Sequence, residues 1–190
     1  MIIITELIQV FLFVVASRIL SRMDNTNHYL LHEAAREGKI LTVKGLVSEN
    51  PKLVLKKDLD ERIPLHWAVA FGQLEIASIL LNPTKFQPES LTKEQKIKPF
   101  EIDIDDYTDE SGWTPFHIAA SVGNLEMLQL LLSHDPKPDV NLQTNNGSTP
   151  VHLATSKKNL DIVKELVKNG ASVRTCLLYT SDAADDMQCV

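Results

Sequence analysis

Cysteine is almost absent from this chain of 190 residues: it has two, Cys176 and Cys189, both close to the C-terminal end. No disulfide framework and no zinc-ligand spacing can be built from them. A repeat body without cysteine points to a cytoplasmic and nuclear setting rather than an oxidising one. Basic residues are outnumbered, 19 Lys and Arg against 25 Asp and Glu, for a net charge of −6. That excludes the basic surface nucleic-acid binding requires, and it suits a basic protein partner. Glycine is scarce, seven in all, and none are grouped into a phosphate-cradling loop; no nucleophile elbow is present either. An unbroken apolar run of membrane-spanning length is also missing. Ile2 to Ile19 is strongly apolar, but Thr5, Glu6 and Gln9 interrupt it. A secretory leader would open on positive charge, whereas here Glu6 comes first and Arg18 and Arg22 follow the run.

What is present is repetition. Ile63-Pro64-Leu65-His66-Trp67-Ala68, Thr114-Pro115-Phe116-His117-Ile118-Ala119 and Thr149-Pro150-Val151-His152-Leu153-Ala154 are copies of one motif, and Tyr29-Leu30-Leu31-His32-Glu33-Ala34 is a weaker fourth. Each copy carries the same physical parts. A Thr at the helix start offers its hydroxyl to open backbone N–H groups, and proline is tolerated in the first turn, where its missing N–H has no helical partner. Leu65, Phe116 and Val151, with Ala68, Ala119 and Ala154, form a narrow apolar stripe for close stacking. Six residues after each His stands Gly38, Gly72, Gly123 or, in the last copy, Lys158. The turn there favours positive φ, which predicts mild strain at Lys158. Second helices follow at Leu74 to Leu81, Leu125 to Leu132 and Leu160 to Val167, with apolar residues at helical spacing. Asn169-Gly170 supplies a helix stop. The four histidines fall near the 33-residue period of ankyrin repeats, one insertion apart. The pattern therefore resembles an all-α ankyrin-repeat solenoid of helix–turn–helix units with short hairpin-like fingers, a binding architecture whose concave face is left free.

The organisation expected is residues 1–22 as an apolar segment from upstream translation, with Met23 the natural start; ankyrin repeats over 23–174; and a non-native tail over 175–190. That tail includes Cys176-Leu177-Leu178-Tyr179-Thr180-Ser181-Asp182-Ala183-Ala184-Asp185-Asp186, which looks like a translated sequencing adapter. The insertion, residues 82–99, holds three prolines and four lysines. It is expected to be an extended surface loop with one helical turn near Leu91 to Ile97. The fourth repeat is expected to end the stack with Val151, Leu153, Ile162 and Leu166 losing cover.

Chemistry is not expected. His28 and His32 are four residues apart, a zinc-compatible spacing, but no Glu completes a HExxH arrangement. His66, His117 and His152 occupy one framework place, where an imidazole ties one finger to the next. Asp103, Asp105, Asp106, Asp109 and Glu110 lack the spacing of a calcium loop and read as a solvated, partner-facing acidic finger. No metal, no cofactor and no enzymatic activity are assigned. A partner would meet the fingers and the ends of the inner helices. These are Arg36 and Glu37 in the first unit; Asp60, Arg62 and Phe71 in the second; Asp106, Glu110, Ser111, Trp113 and Ser121 in the third; Asn145, Asn146 and Lys157 in the fourth. Trp113 and Phe71 are the aromatic anchors of that set, while Trp67, on the inner helix, is assigned to the stacking surface.

Asp60-Glu61-Arg62-Ile63-Pro64-Leu65-His66-Trp67, and the run from Ile104 through Asp109-Glu110-Ser111-Gly112-Trp113 to Ala119, resemble the gankyrin family, in its fungal form especially. So do Ser121-Val122-Gly123-Asn124-Leu125-Glu126 and Asn169 to Arg174. The resemblance spans Met23 to Arg174. It implies a chaperone for assembly of the proteasome regulatory particle, whose concave face binds the C-terminal domain of one of the ATPase subunits, here through the residues just named. It implies a monomer with a protein partner, no nucleic acid and no membrane. An ankyrin adaptor for a kinase or transcription factor is the alternative, and a membrane-tethered ankyrin protein the third reading.

Overall fold

The structure, a computed structural model, describes residues 29–87, 97–98 and 100–172. The expectations for residues 1–22, for the helical turn near Leu91 and for the tail lie outside these residues, as does His28. Helical residues 29–37 form α1. They are followed by α2 (Ile40–Glu49), α3 (Pro64–Ala70), α4 (Leu74–Leu81), α5 (Pro115–Val122), α6 (Leu125–Leu132), α7 (Pro150–Ser156) and α8 (Leu160–Lys168). Odd-numbered helices are the inner layer and even-numbered ones the outer. Inner α5 packs between α3 and α7, while outer α6 packs between α4 and α8. Leu65, Ala68, Phe116, Ala119, Val151 and Ala154 are all buried in one continuous core with Ile76, Leu80, Met127 and Leu131. The predicted stripe is the stacking surface.

The histidines do more than tie fingers. Nδ1 of His66, His117 and His152 accepts the backbone N–H of the helix-starting Ile63, Thr114 and Thr149, at 3.2, 3.3 and 3.1 Å. This is half of a reciprocal cap in which an imidazole stands where Glu or Gln is usual. At Thr114 the hydroxyl accepts the His117 N–H at 3.4 Å, completing it. Because Nδ1 accepts, the proton resides on Nε2. That N–H reaches the next repeat: His66 donates to the Trp113 carbonyl at 3.1 Å, and His117 to the Leu142 carbonyl at 2.9 Å. His32 Nε2 lies 3.0 Å from the Arg62 carbonyl. One side chain thus caps its own helix and links it to the following unit.

Two expectations change. Val151, Ile162 and Leu166 are buried rather than bare, because α7 and α8 cover one another within the repeat; Leu153 and Val163 are only half-buried, and Leu160 and Val167 are exposed. The described ends of the insertion do not simply extend into solvent. Pro83–Phe86 forms a 3-10 turn with Pro83 buried, and Phe86 and Phe100 pack on the core. Gln87 clasps Ile97 by both amide atoms, at 2.8 and 2.6 Å.

The strained turn is borne out: Lys158 has φ 60°, where Gly38, Gly72 and Gly123 have φ 70–83°. Lys158→Gly is expected to stabilise the fold by about 1 kcal/mol, since a Cβ in the left-handed region costs about that much. Urea unfolding tests this; an unchanged or lower midpoint counts against it.

Candidate partner-binding face

Each finger is organised by its first polar side chain. Asp58 Oδ1 accepts the Asp60 and Arg62 N–H groups at 3.0 and 2.9 Å, and Asp109 Oδ1 accepts those of Ser111 and Trp113 at 3.0 and 2.9 Å. Thr144 does the same with its hydroxyl for Ser148 at 3.2 Å. Main-chain bonds close each hairpin, from Asp58 N–H to Arg62, Asp109 N–H to Trp113 and Thr144 N–H to Ser148. Neighbouring fingers are then laced together. Glu110 N–H donates to the Asp60 carbonyl and Asn145 N–H to that of Ser111, while the Asn145 amide donates to the Glu110 carbonyl at 3.0 Å. Asn145 comes so close to Gly112 that a Cβ there would stand 2.5 Å from it; that position requires glycine.

Arg62 bridges the second and third fingers. Its Nε and Nη2 donate to Asp109 Oδ2 at 3.3 and 3.1 Å, with Asp60 3.8 Å away. Asp109 is only 7% exposed. This corrects the solvated acidic finger: Asp109 is an internal organiser, buried because it serves two backbone N–H groups and a guanidinium at once. Asp105 is likewise half-buried and accepts the Asp139 N–H at 2.7 Å; burial nonetheless pushes its carboxyl pKa up. Of the cluster, Asp106 and Glu110 are exposed.

Trp67 stands at the centre of the face. Its indole N–H donates to Asp58 Oδ2 at 2.7 Å, Phe71 stacks against it at 6.2 Å between ring centroids, and the Arg62 guanidinium lies over its ring at 5.5 Å. A cavity opens on each side. One, of about 370 Å³, is lined by Tyr29, His32, Glu33, Arg36, Asp58, Leu59, Asp60 and Trp67. The other, of about 410 Å³, is lined by Arg62, His66, Trp67, Ala70, Asp109, Ser111, Trp113 and Ile118. Below them, burial drives the His66 pKa down to about 4 and lowers that of His117. Both imidazoles are neutral donors near pH 7, framework rather than acid–base groups.

The motif, its period and its stacking find their counterpart in known proteins. The family model described as ankyrin repeats (3 copies) matches residues 5–93 and 89–175. This chain belongs to the ankyrin-repeat family. Among ankyrin-repeat proteins it is 45% identical, over 78% of its length, to the probable 26S proteasome regulatory subunit p28 of Saccharomyces cerevisiae. It is 35% identical, over 58% of its length, to the 26S proteasome non-ATPase regulatory subunit 10 of Dictyostelium discoideum. The gankyrin resemblance is borne out by these two. The chain spans 58% and 40% of the lengths of those relatives. It is also 30% identical to the human transient receptor potential cation channel subfamily A member 1, over only 12% of that protein.

In ankyrin terms, the structure gathers Arg36, Asp60, Arg62, Ser111 and Trp113 around the two cavities. Phe71, 55% exposed, continues the surface beyond Trp67. Glu110, Asn145 and Asn146 are exposed residues of the fingers, Ser121 is half-buried at the end of α5, and Lys157 is exposed as the C-cap of α7. Glu37 is taken up by Lys39 at 2.6 Å. Asp106 lies on a 3-10 turn, Ile104–Asp106, ahead of the finger and lines neither cavity. Trp67 is the residue placed wrongly by sequence: it is half-buried and walls both cavities rather than the stack. Its place directly after the framework His is shared by Glu33, Ile118 and Leu153, none of them buried. That variation in residue type is the signal that the position faces outward.

Proposed function

We propose that this ankyrin-repeat chain is the protein-binding part of an assembly chaperone for the proteasome regulatory particle. Its fingers and inner helices receive the C-terminal domain of one of the particle's ATPase subunits, in the cytoplasm and nucleus. The observation that supports this most is the pre-organised face around Trp67. Aromatic rings, a fixed guanidinium and exposed carboxylates stand together on a rigid scaffold, the composition of an interface centre ringed by charge. Similarity to two proteins named as proteasome regulatory subunits supports the choice of partner. Rigidity matters because side chains already held by Asp58 and Asp109 lose little entropy on binding.

Co-purification is the test. A tagged chain is expected to bring down regulatory-particle ATPases in amounts comparable with itself. Recovery of a kinase or a transcription factor in their place would favour the adaptor reading and overturn this one.

A further inference from the structure

The two cavities beside Trp67 differ in one respect. The cavity toward the third finger already holds a cation, for Arg62 lines it and lies over the Trp67 ring at 5.5 Å, neutralised by Asp109. Among the described residues, the cavity toward the first repeat has the same kind of wall without such an occupant. Trp67 and Tyr29 give it aromatic surface, and Leu59, 83% exposed, gives it an apolar lip. Glu33, Asp58 and Asp60 supply three carboxylates. Among the described residues lining it, Arg36 alone is cationic, and it is exposed at the edge. Asp58 is occupied by the Trp67 indole and by backbone N–H groups, which leaves Glu33 and, beyond its 3.8 Å approach to Arg62, the exposed Asp60.

We infer that this first cavity is a socket for one basic side chain, arginine or lysine, of the protein that binds this face. The inference rests on the proposed function only in assuming that a protein occupies the face. An aliphatic stem of either residue would lie along Leu59 and Tyr29 with its charged end between Glu33, Asp60 and the Trp67 ring, the usual way a long cationic side chain shares apolar and polar surface. The chain's own Arg62 shows that the ring accepts a guanidinium flanked by carboxylates, and cation–aromatic attraction strengthens as water is excluded. A cavity of about 370 Å³ accommodates such a side chain with room to spare. Asp58, bonded to the indole and to two finger N–H groups, fixes the Trp67 wall before the partner arrives.

The test needs no ATPase. The full chain, labelled with nitrogen-15, is titrated with N-acetyl-arginine methylamide, the lysine equivalent and the neutral citrulline equivalent, following the Trp67 indole and the Tyr29 backbone amide by NMR. Saturable shifts at both are expected with arginine or lysine, at least about tenfold weaker with citrulline. A Glu33→Gln, Asp60→Asn double variant, exposed at both positions and expected to fold normally, should weaken binding of the cation about tenfold. No shifts, equal shifts with citrulline, or a double variant that binds as well as wild type would each overturn the socket. If arginine binds as expected but no proteasomal ATPase does, the socket stands and the proposed partner falls.

Discussion

His66→Ala is expected to lower the stability of the fold by about 3 kcal/mol. The imidazole is fully buried and makes two bonds at once, accepting from Ile63 N–H and donating to the Trp113 carbonyl. Alanine leaves both main-chain groups without this partner inside the stack, and a buried unpaired group costs about 1–3 kcal/mol. A small cavity adds to that. The same residue makes the protein acid-sensitive. Its folded pKa, about 4, lies below the ordinary 6.5 of the unfolded chain because burial penalises the imidazolium. The unfolded state therefore binds more protons between these values. The stability His66 contributes is fully present above about pH 6.5 and is lost as pH falls toward 4, about 3 kcal/mol in all. His117, shifted in the same direction by burial, adds to the loss as pH falls. Urea unfolding at several pH values between 7 and 4 should show this slope in wild type and a shallower one in His66→Ala. Identical slopes would mean that His66 does not titrate with folding.

The repeats were legible because each unit states its structure several times over. Thr-Pro at the helix start, the apolar stripe of Leu65 and Ala68 and the glycine six residues after His all imply the same turn and the same stack. Lys158 was legible for the same reason, since three glycines at its place define the backbone it must adopt. The face was harder to read. Asp109 looks like its exposed neighbours Asp106 and Glu110 until it is aligned with Asp58 and Thr144, which hold the same place in their fingers; the approach of Arg62, 47 residues earlier, then covers its second oxygen. Trp67 fits an apolar inner helix as well as an exposed platform, and the choice depends on where Arg62 and Phe71 come to lie. Repetition encodes the scaffold, whereas side-chain contacts such as those of Arg62 with Asp109 and Trp67 are made once and leave no periodic trace.

Trp113→Ala is expected to weaken binding of the proposed partner, a proteasomal ATPase C-terminal domain, about thirtyfold or more. Trp113 is half-buried and walls the second cavity with Arg62 and Trp67, the setting in which truncating an aromatic anchor costs about 2 kcal/mol or more. Its backbone N–H and carbonyl, which serve Asp109 and His66, remain in the variant, so the finger should persist, as circular dichroism and urea unfolding can check. Exposed Asp106 and Glu110 should act differently, changing association rate and salt dependence more than the affinity at high salt. Glu126, on outer helix α6, should matter little.

The most direct measurement is calorimetric titration of that ATPase domain into wild type, Trp113→Ala, the Asp106→Lys, Glu110→Lys double variant and Glu126→Lys, at low and high salt. The account predicts a large loss for Trp113→Ala at both salts, a loss for the double variant mainly at low salt, and wild-type affinity for Glu126→Lys. Wild-type affinity for the first two, or a loss confined to Glu126→Lys, would contradict binding through the fingers and inner helices.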